Sequence, residues 1–353
     1  MSPVAAVAVP PSMLHCRDMA DGSAAVLGID IGGTKTAVVA GRSDGGAVSI
    51  VGRRSFATEP RSRSWRDTLR QVCREARLLS GDSGLCGTPV AAGVSCGGPL
   101  DSRRGLLLSP PNLPGWDDVP IVQVLADGLA CPVFLQNDAN ACALAEWRFG
   151  AGSGCRSMVF LTFGTGMGAG LILDGRLYEG ASDLAGEVGH VRLAEEGPLG
   201  YGKHGSFEGF CSGGGIPRLA RSEARRWLSE GRTVSFCAEE SSLDAITARD
   251  VGEAAEAGDP LARRVLEQSG RWLGRGLSVL IDVLNPQRIV IGGIYVRCRR
   301  FLQPAMEAEI AREALPGAAA VCQVVPAKLG EQIGDFAALS VAVDGISRTE
   351  AGR

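Results

Sequence analysis

No Cys-x-x-Cys pair occurs among the 11 cysteines of this 353-residue chain. Their number is odd and their spacing irregular, so neither a zinc ribbon nor a redox dithiol is supported. Cys131 and Cys142 sit in apolar runs and read as small buried hydrophobes. That usage suits a reducing compartment, and a cytoplasmic setting is expected. An excess of charge is also missing: 36 Lys and Arg against 39 Asp and Glu leave a net charge of −3. Nothing in that balance calls for a nucleic-acid partner or an anionic membrane surface. No apolar run reaches the length of a membrane span, so no membrane partner is expected. Residues 1–23 lack a basic segment ahead of their apolar part, which argues against a signal peptide; they read as a disordered leader. The 49 glycines follow no fixed repeat. They punctuate strand-and-turn patterns instead, as in an α/β protein with many tight turns.

Hydrophobic residues make up 45% of the chain, enough for a sizeable core. The length exceeds one ordinary core and suggests two lobes. The stretch Val26–Val39 organises the first. Val26, Leu27, Ile29 and Ile31 form a short apolar run that reads as a buried strand, and Thr36–Val39 reads as a second. Between them Gly32-Gly33-Thr34-Lys35 forms a hairpin tip. Two glycines let a backbone approach a ligand closely and turn its N–H groups toward it. Thr34 adds a hydroxyl and Lys35 a positive charge. Asp30, just before the tip, is placed to organise a hydrated Mg²⁺ among phosphate oxygens.

Further along, Ala47–Phe56 reads as a strand after a Gly45-Gly46 turn, Arg66–Leu79 as an amphipathic helix, and Pro89–Ser95 as a buried strand. The proline-rich loop Ser109–Trp116 reads as a rigid support that holds Asn112 and Trp116 toward a ligand. Ile121–Ala130 is a short helix and Pro132–Gln136 a strand. Asn137 caps a helix over Asp138–Phe149 that stops at Gly150. Met158–Phe163 and Gly170–Leu173 flank a second glycine tip, Gly164–Gly168. Strand, tip, strand thus occurs twice and reads as an internal repeat, with both tips aimed at one phosphate chain. Gly180–Phe210 reads as loop. Ser242–Ala257 and Pro260–Leu284 read as helices, the second begun by Asp259-Pro260 and ended by Asn285-Pro286. A strand Arg288–Ile291, a helix Phe301–Ala314, a strand Cys322–Ala327 and a closing helix Asp335–Ala342 follow.

Phosphorylating a hydroxyl needs a carboxylate that accepts its proton as the nucleophile attacks the γ-phosphate. Asp138, after a strand and at the start of a helix, is the candidate base; the blander reading is that it only stabilises the helix N-terminus. Glu187 and His190 place a carboxylate and an imidazole three residues apart, and both groups can bond sugar hydroxyls.

Taken together, Asp30-x-Gly-Gly-Thr-Lys35, Gly164-Thr165-Gly166, Gly186-Glu187-Val188-Gly189-His190 and Ile289-Val-Ile-Gly-Gly293 resemble the ROK family of sugar kinases and sugar-responsive repressors. The resemblance spans about Val26–Leu339. It implies an α/β chain with the two-lobed actin-like, ribonuclease-H-like ATPase fold, the lobes flanking a cleft. The expected division is 24–133 plus 335–353 as the small lobe and 134–334 as the large one. It further implies ATP and Mg²⁺ as cofactors, a small-molecule sugar as partner and a homo-oligomer. Asp138 matches the family's catalytic aspartate. Asn112, Asn137, Glu187, His190 and Glu208 match its sugar contacts. Asp30, Gly32, Gly33, Thr34, Lys35, Thr165, Gly166, Gly292 and Gly293 match its nucleotide site. The implied reaction is transfer of the γ-phosphate of ATP to a hexose, with the 6-hydroxyl of glucose first among the candidates. A kinase for another hexose or an N-acetylated hexosamine, and a non-catalytic sugar sensor, are the alternatives. The family's repressors carry a helix-turn-helix module before the kinase-like part. Only about two dozen residues precede Val26, so that module is not expected.

One departure stands out. Many members follow the Gly-x-x-Gly-His motif with three cysteines that hold a structural zinc together with its histidine. Here those positions are Gly200, Gly202 and Ser206, which offer no thiolate. No zinc is therefore expected. His190, His204 and Cys211 are the residues from which a substitute could be assembled, and Tyr201, Phe207 and Phe210 are available to hold the loop by packing.

Overall fold

Val26, Leu27, Ile29 and Ile31 are buried to 2% exposure or less, as their apolar run requires. A computed structural model describes residues 24–44, 47–82 and 88–351. The leader 1–23 and the Gly45-Gly46 turn lie outside the described residues. The chain opens with strands β1 (Ala24–Ile31), β2 (Lys35–Asp44) and β3 (Ala47–Ala57) and helix α1 (Trp65–Asp82). Strand β4 (Ala91–Cys96), the short pair β5 (Leu100–Asp101) and β6 (Leu106–Leu107), helix α2 (Ile121–Leu129), strand β7 (Val133–Asn137) and helix α3 (Asp138–Phe149) follow. Next come β8 (Met158–Phe163), β9 (Met167–Leu173), β10 (Arg176–Leu177), β11 (Leu199–Gly200) and β12 (Lys203–His204). Helices α4 (Phe207–Phe210), α5 (Gly215–Ser229), α6 (Ala248–Glu256) and α7 (Pro260–Leu284) lead to β13 (Arg288–Ile291). Helices α8 (Ile294–Glu313) and α9 (Pro316–Ala319), strand β14 (Gln323–Pro326) and helix α10 (Ile333–Ala351) complete the chain.

Two units divide it. One comprises the described residues through Ser153, with Glu179–Asp183 and Leu329 onward; the other is Gly154–Tyr178 with Leu184–Lys328. The first therefore runs past the expected boundary at 133. The reason is pairing: β7 is hydrogen-bonded to β4 over Ala92–Cys96, and α3 leaves it without a loop.

The first unit holds the sheet β3-β2-β1-β4-β7, in which β1 is antiparallel to β2 and parallel to β4. Helices α1 and α2 bury Leu69, Val72, Ile121 and Leu125 with Leu27 and Ile29 of the sheet. Leu339 and Ala342 of α10 pack with Val26, Val39 and Ala91. Each fully buried aliphatic side chain of this kind stabilises the fold by roughly 1.5–3 kcal/mol. Gly93 makes the α10 contact possible: a Cβ there would lie 2.2 Å from the carbonyl oxygen of Ala338 and 2.4 Å from the nitrogen of Ala342.

The second unit holds β10-β9-β8-β13-β14. Its β8–β9 hairpin is antiparallel, and β13 lies parallel to both β8 and β14. The two sheets thus share one order, hairpin first and parallel strands after, and the repeat read from the sequence is present in the fold. Helix α7 buries Leu261, Val265, Leu273 and Leu277 in the main core of this unit. Its ends follow their chemistry: the Asp259 side chain accepts from Ala262 N–H, Pro260 sits in the first turn, and Asn285 closes it in the left-handed region.

Several expectations need correction. The expected helix Ser242–Ala257 is a 3₁₀ turn, Glu240–Ala245, followed by a separate α6. Thr247 breaks it by forming a capping box with Asp250. Helix α8 begins at Ile294 rather than Phe301, with Pro304 accommodated inside it. Helix α10 continues to Ala351 rather than Ala342. Helix α5 forms between the expected loop ending at Phe210 and the expected helix starting at Ser242, where no element was expected. Trp116 does not reach outward: it is 1% exposed and packs in the first unit's core, leaving Asn112 exposed at the loop surface.

Candidate active site

Three parallel strand ends set the geometry in the first unit. Register places Asp30 of β1 beside Ser95 of β4, and Ser95 beside Gln136 of β7. One residue further on lie Ile31, Cys96 and Asn137, and Asp138 follows at once. Ligands of open α/β sheets gather outside such carboxyl ends. Asn137 caps α3, its side-chain oxygen accepting from Asn140 N–H at 2.7 Å. Asp138 Oδ1 accepts from the N–H of Ala139 at 2.8 Å.

Both carboxyls are perturbed. Asp138 is exposed to solvent on one side, yet desolvation by the protein around its carboxyl raises it above the ordinary range, against the pull of the backbone N–H bonds. Asp30 is pushed up to about 6, first by burial and then by the nearby charges of Asp138 and Asp335; the Ser95 hydroxyl and Arg53 act in the opposite direction. Arg53 in turn holds Asp335 through two contacts of 2.9 and 2.8 Å from Nε. A raised folded-state pKa means that the folded chain keeps a proton the unfolded chain has released. The stability from Asp30 is complete below its ordinary value of 3.8 and is lost as pH rises through about 6. Asp30→Asn should accordingly stabilise the ligand-free protein at pH 8 by at most roughly 3 kcal/mol, seen as a higher melting temperature, and converge with the parent below pH 4. Thermal melts across that range check it, and parallel pH profiles for the two proteins would remove Asp30 as the source.

The Gly32–Lys35 tip is closed by Gly32 N–H donating to Lys35 O at 3.0 Å. Thr58 pins it from outside, its N–H donating to Thr34 O at 3.0 Å and its hydroxyl to Gly32 O at 2.7 Å. Gly33 faces the proline-rich loop: a Cβ there would fall 2.6 Å from the carbonyl oxygen of Asn112. The structure thus brings the tip and Asn112 together. Thr58 and Ser95 had no signal in the sequence.

In the second unit the tip Gly164–Gly166 is held by the start of α5, where Gly213 N–H donates to Gly164 O at 2.7 Å and Gly214 N–H to Thr165 O at 3.3 Å. The run Gly213-Gly214-Gly215 was the overlooked signal. Gly293 meets the same tip, a Cβ there lying 2.2 Å from Phe163 O and 3.4 Å from Gly164 N. Gly292 precedes it beside the Phe160 ring. Glu208 accepts from Met167 N–H at 3.1 Å, and its carboxylate lies 2.8 Å from where a Gly166 Cβ would stand. The loop with Glu187 and His190 lies along β9, Ala169 N–H donating to Gly186 O at 2.7 Å. Glu187 is exposed and His190 half-buried.

The stretch without thiolates is a small hairpin, β11 paired with β12. Ser206 Oγ accepts from Gly209 N–H at 3.1 Å and donates to Gly200 O at 3.3 Å. Lys203 Nζ donates to His190 O at 2.6 Å, and the Tyr201 ring stands edge-on to His190 at 4.6 Å. His204 Nδ1 is 2.9 Å from Gly197 O, and the buried Cys211 thiol donates to Ser269 O at 3.3 Å. Among the described residues no three His, Cys, Asp or Glu side chains are grouped so as to hold a metal ion.

Two sheets of the same order, each with a glycine-tipped hairpin leading into parallel strands, define the actin-like, ribonuclease-H-like ATPase class. A sequence profile described as "ROK family" matches residues 26–344, and the chain belongs to that family. It is 30% identical over 310 residues to a glucokinase of Halalkalibacterium halodurans, covering 87% of this chain and 92% of that one. Its structure is similar to a ROK hexokinase from Thermus thermophilus, with a TM-score of 0.73, 29% identity and coverage of 92% of this chain and 99% of the other. A ROK glucokinase from Streptomyces griseus in complex with glucose and AMPPNP gives a TM-score of 0.69 at 29% identity, covering 91% and 100%. Among the described residues no helix is long and apolar enough to cross a membrane.

Proposed function

We propose that this chain is an ATP-dependent hexose kinase that transfers the γ-phosphate to the 6-hydroxyl of glucose. The observation that carries the reading is Asp138, a solvent-exposed carboxyl directly after the end of a parallel strand, with protein packed closely enough around it to raise its affinity for a proton. A general base near the operating pH needs such an environment. Asp138 accepts the hydroxyl proton as the sugar oxygen attacks. Asn112, Asn137, Glu187, His190 and Glu208 recognise the sugar hydroxyls. The backbone N–H groups of Gly33, Thr165 and Gly166 donate to phosphate oxygens, Gly32 closes the tip through its bond to Lys35 O, Thr34 and Lys35 add a hydroxyl and a charge, and Gly292 and Gly293 leave room for the nucleoside. Magnesium is ordinarily held by one or two carboxylates together with waters and substrate phosphates, not by an all-protein cage. Asp30, raised to about 6 by burial and by Asp138, fits that pattern. When bound, the ion neutralises phosphate charge; Asp30 orients its water shell. The likeness to glucokinases supports glucose as acceptor. The nine free cysteines among the described residues support a cytoplasmic setting.

The test is direct measurement of phosphate transfer from ATP to glucose, mannose, fructose, allose and N-acetylated hexosamines, on protein first stripped with a strong chelator and then given Mg²⁺ alone. Transfer to glucose should be restored, the fold should survive the chelator, and the purified protein should contain far less than one zinc per chain. ATP consumption with none of these sugars would favour a sensor over a kinase. Stoichiometric zinc with unfolding in chelator would show a metal site rebuilt around His190, His204 and Cys211.

A further inference from the structure

One stretch of five residues belongs to a different unit from the chain on either side of it. Glu179–Asp183 groups with the first unit, while Tyr178 before it and Leu184 after it group with the second. A carboxylate at each end fastens the stretch. Asp183 accepts from the backbone N–H and the hydroxyl of Ser102, each at 2.8 Å. Glu179 accepts from Arg348 Nη1 at 3.0 Å on both oxygens, and from the side-chain amide of Gln136.

The bonds continue inward from Gln136. Its Oε1 accepts from Asn140 Nδ2 at 3.1 Å, and Asn140 N–H donates to Asn137 Oδ1 at 2.7 Å. Asn137 is the cap of α3 and the neighbour of Asp138. Behind Glu179, Arg348 pairs with Asp344 at 2.6 Å, and Asp344 with Arg148 at 3.0 Å. The line therefore starts between α3 and α10 and ends at the residue before the candidate base.

Its direction is set by chemistry. A carboxylate only accepts, so Glu179 obliges Gln136 to turn its NH₂ outward and its carbonyl inward. That carbonyl obliges Asn140 to present its NH₂. Asn140 is fully buried and its Oδ1 has no partner, an arrangement that costs free energy and persists only where neighbours impose it. Remove Glu179 and both amides are free to turn.

We propose that Glu179 is a positioning residue for the Asp138 carboxylate, acting through Gln136, Asn140 and the Asn137 cap. The proposal rests on Asp138 as the base. Glu179→Ala, Glu179→Gln, Gln136→Leu and Asp138→Asn are compared in steady-state assays with glucose and Mg-ATP, alongside thermal melts. Small displacements of a reacting group cost up to about a hundredfold in rate. On that scale Glu179→Ala and Gln136→Leu should each lower kcat about tenfold or more, with KM for ATP within about twofold of the parent and any rise in KM for glucose, through Asn137, smaller than the fall in kcat. Glu179→Gln keeps an acceptor oxygen and should restore kcat to within about threefold. Unchanged kcat in Glu179→Ala overturns the proposal, as does a fully active Gln136→Leu or a Glu179→Gln no better than alanine. If Glu179→Ala does not fold, Gln136→Leu decides, because it leaves the Glu179–Arg348 pair in place. Full activity in Asp138→Asn would remove the base itself; loss there with a fully active Glu179→Ala removes only the relay.

Discussion

Asp138→Asn should lower kcat by ~10²–10⁴ while leaving glucose binding intact. Asparagine keeps the side-chain oxygen that accepts from Ala139 N–H at 2.8 Å, so the start of α3 is undisturbed. What it lacks is a site for the proton of the attacking hydroxyl. It also removes one of the two carboxylate charges that raise Asp30 alongside its burial, so Asp30 should release its proton at lower pH in the variant. Initial rates against both substrates, with glucose affinity measured separately by calorimetry, check this. A variant that keeps most of its turnover would leave Asp138 only as a helix-terminus residue, the blander reading that its position also allows. An equal loss of binding and turnover would point to a broken site, and the melting temperature of the variant would reveal that.

The elements legible in the sequence were those whose chemistry is local. The Asn137 cap of α3 and the Asp259-Pro260 start of α7 state their own boundaries; the β-branched run Thr36–Val39 marks β2 but not its continuation to Asp44. Helix α5 did not, although Ile216, Leu219, Ala220, Ala224 and Trp227 recur at helical spacing and are buried. The glycine run ahead of it reads as loop, and Pro217 in its first turn reads as a break until the helix start is known. The Thr247-x-x-Asp250 box was readable and divides what looked like one helix. In the site, the residues proposed to bear function were marked by motif, but the residues that hold them in place were not. Thr58 behind the first tip, Ser95 beside Asp30, Gly213 against the second tip and Glu179 behind Gln136 meet their partners only through the fold. Between 22 and 81 residues separate bonded partners such as Thr36 and Thr58 or Ser102 and Asp183. One chain read by itself carries no mark of such pairs. Trp116 shows the opposite error: a large aromatic in a proline-rich loop was read as reaching outward, but its apolar area is better used in the core.

Gly33→Val should reduce kcat/KM by about a hundredfold or more, and it should raise KM for glucose as well as for ATP. From sequence alone the glycine serves phosphate, and a side chain there should harm only the nucleotide. The structure adds a second neighbour. A Cβ at this position would lie 2.6 Å from the carbonyl oxygen of Asn112 and 3.1 Å from its Cβ, so something must move. Gly33 is not in the left-handed region, which makes contact rather than backbone conformation the constraint. Neither partner yields easily. The loop around Asn112 is closed by Ser109 N–H donating to Trp116 O at 3.2 Å and is anchored by Leu113 and Trp116, 2% and 1% exposed. The tip is pinned from its other side by Thr58, at 2.7 Å and 3.0 Å. A displacement of about 1 Å shared between them would move phosphate donors and a sugar contact together, and misplacement of that size costs on the order of 10²-fold. Gly33→Ala imposes the same first contact with less bulk and should fall between parent and valine. Calorimetry with a non-hydrolysable ATP analogue and steady-state KM for glucose separate the two effects. If only the nucleotide is affected in a folded protein, Asn112 does not depend on the tip; if neither substrate is affected, the tip is an ordinary turn.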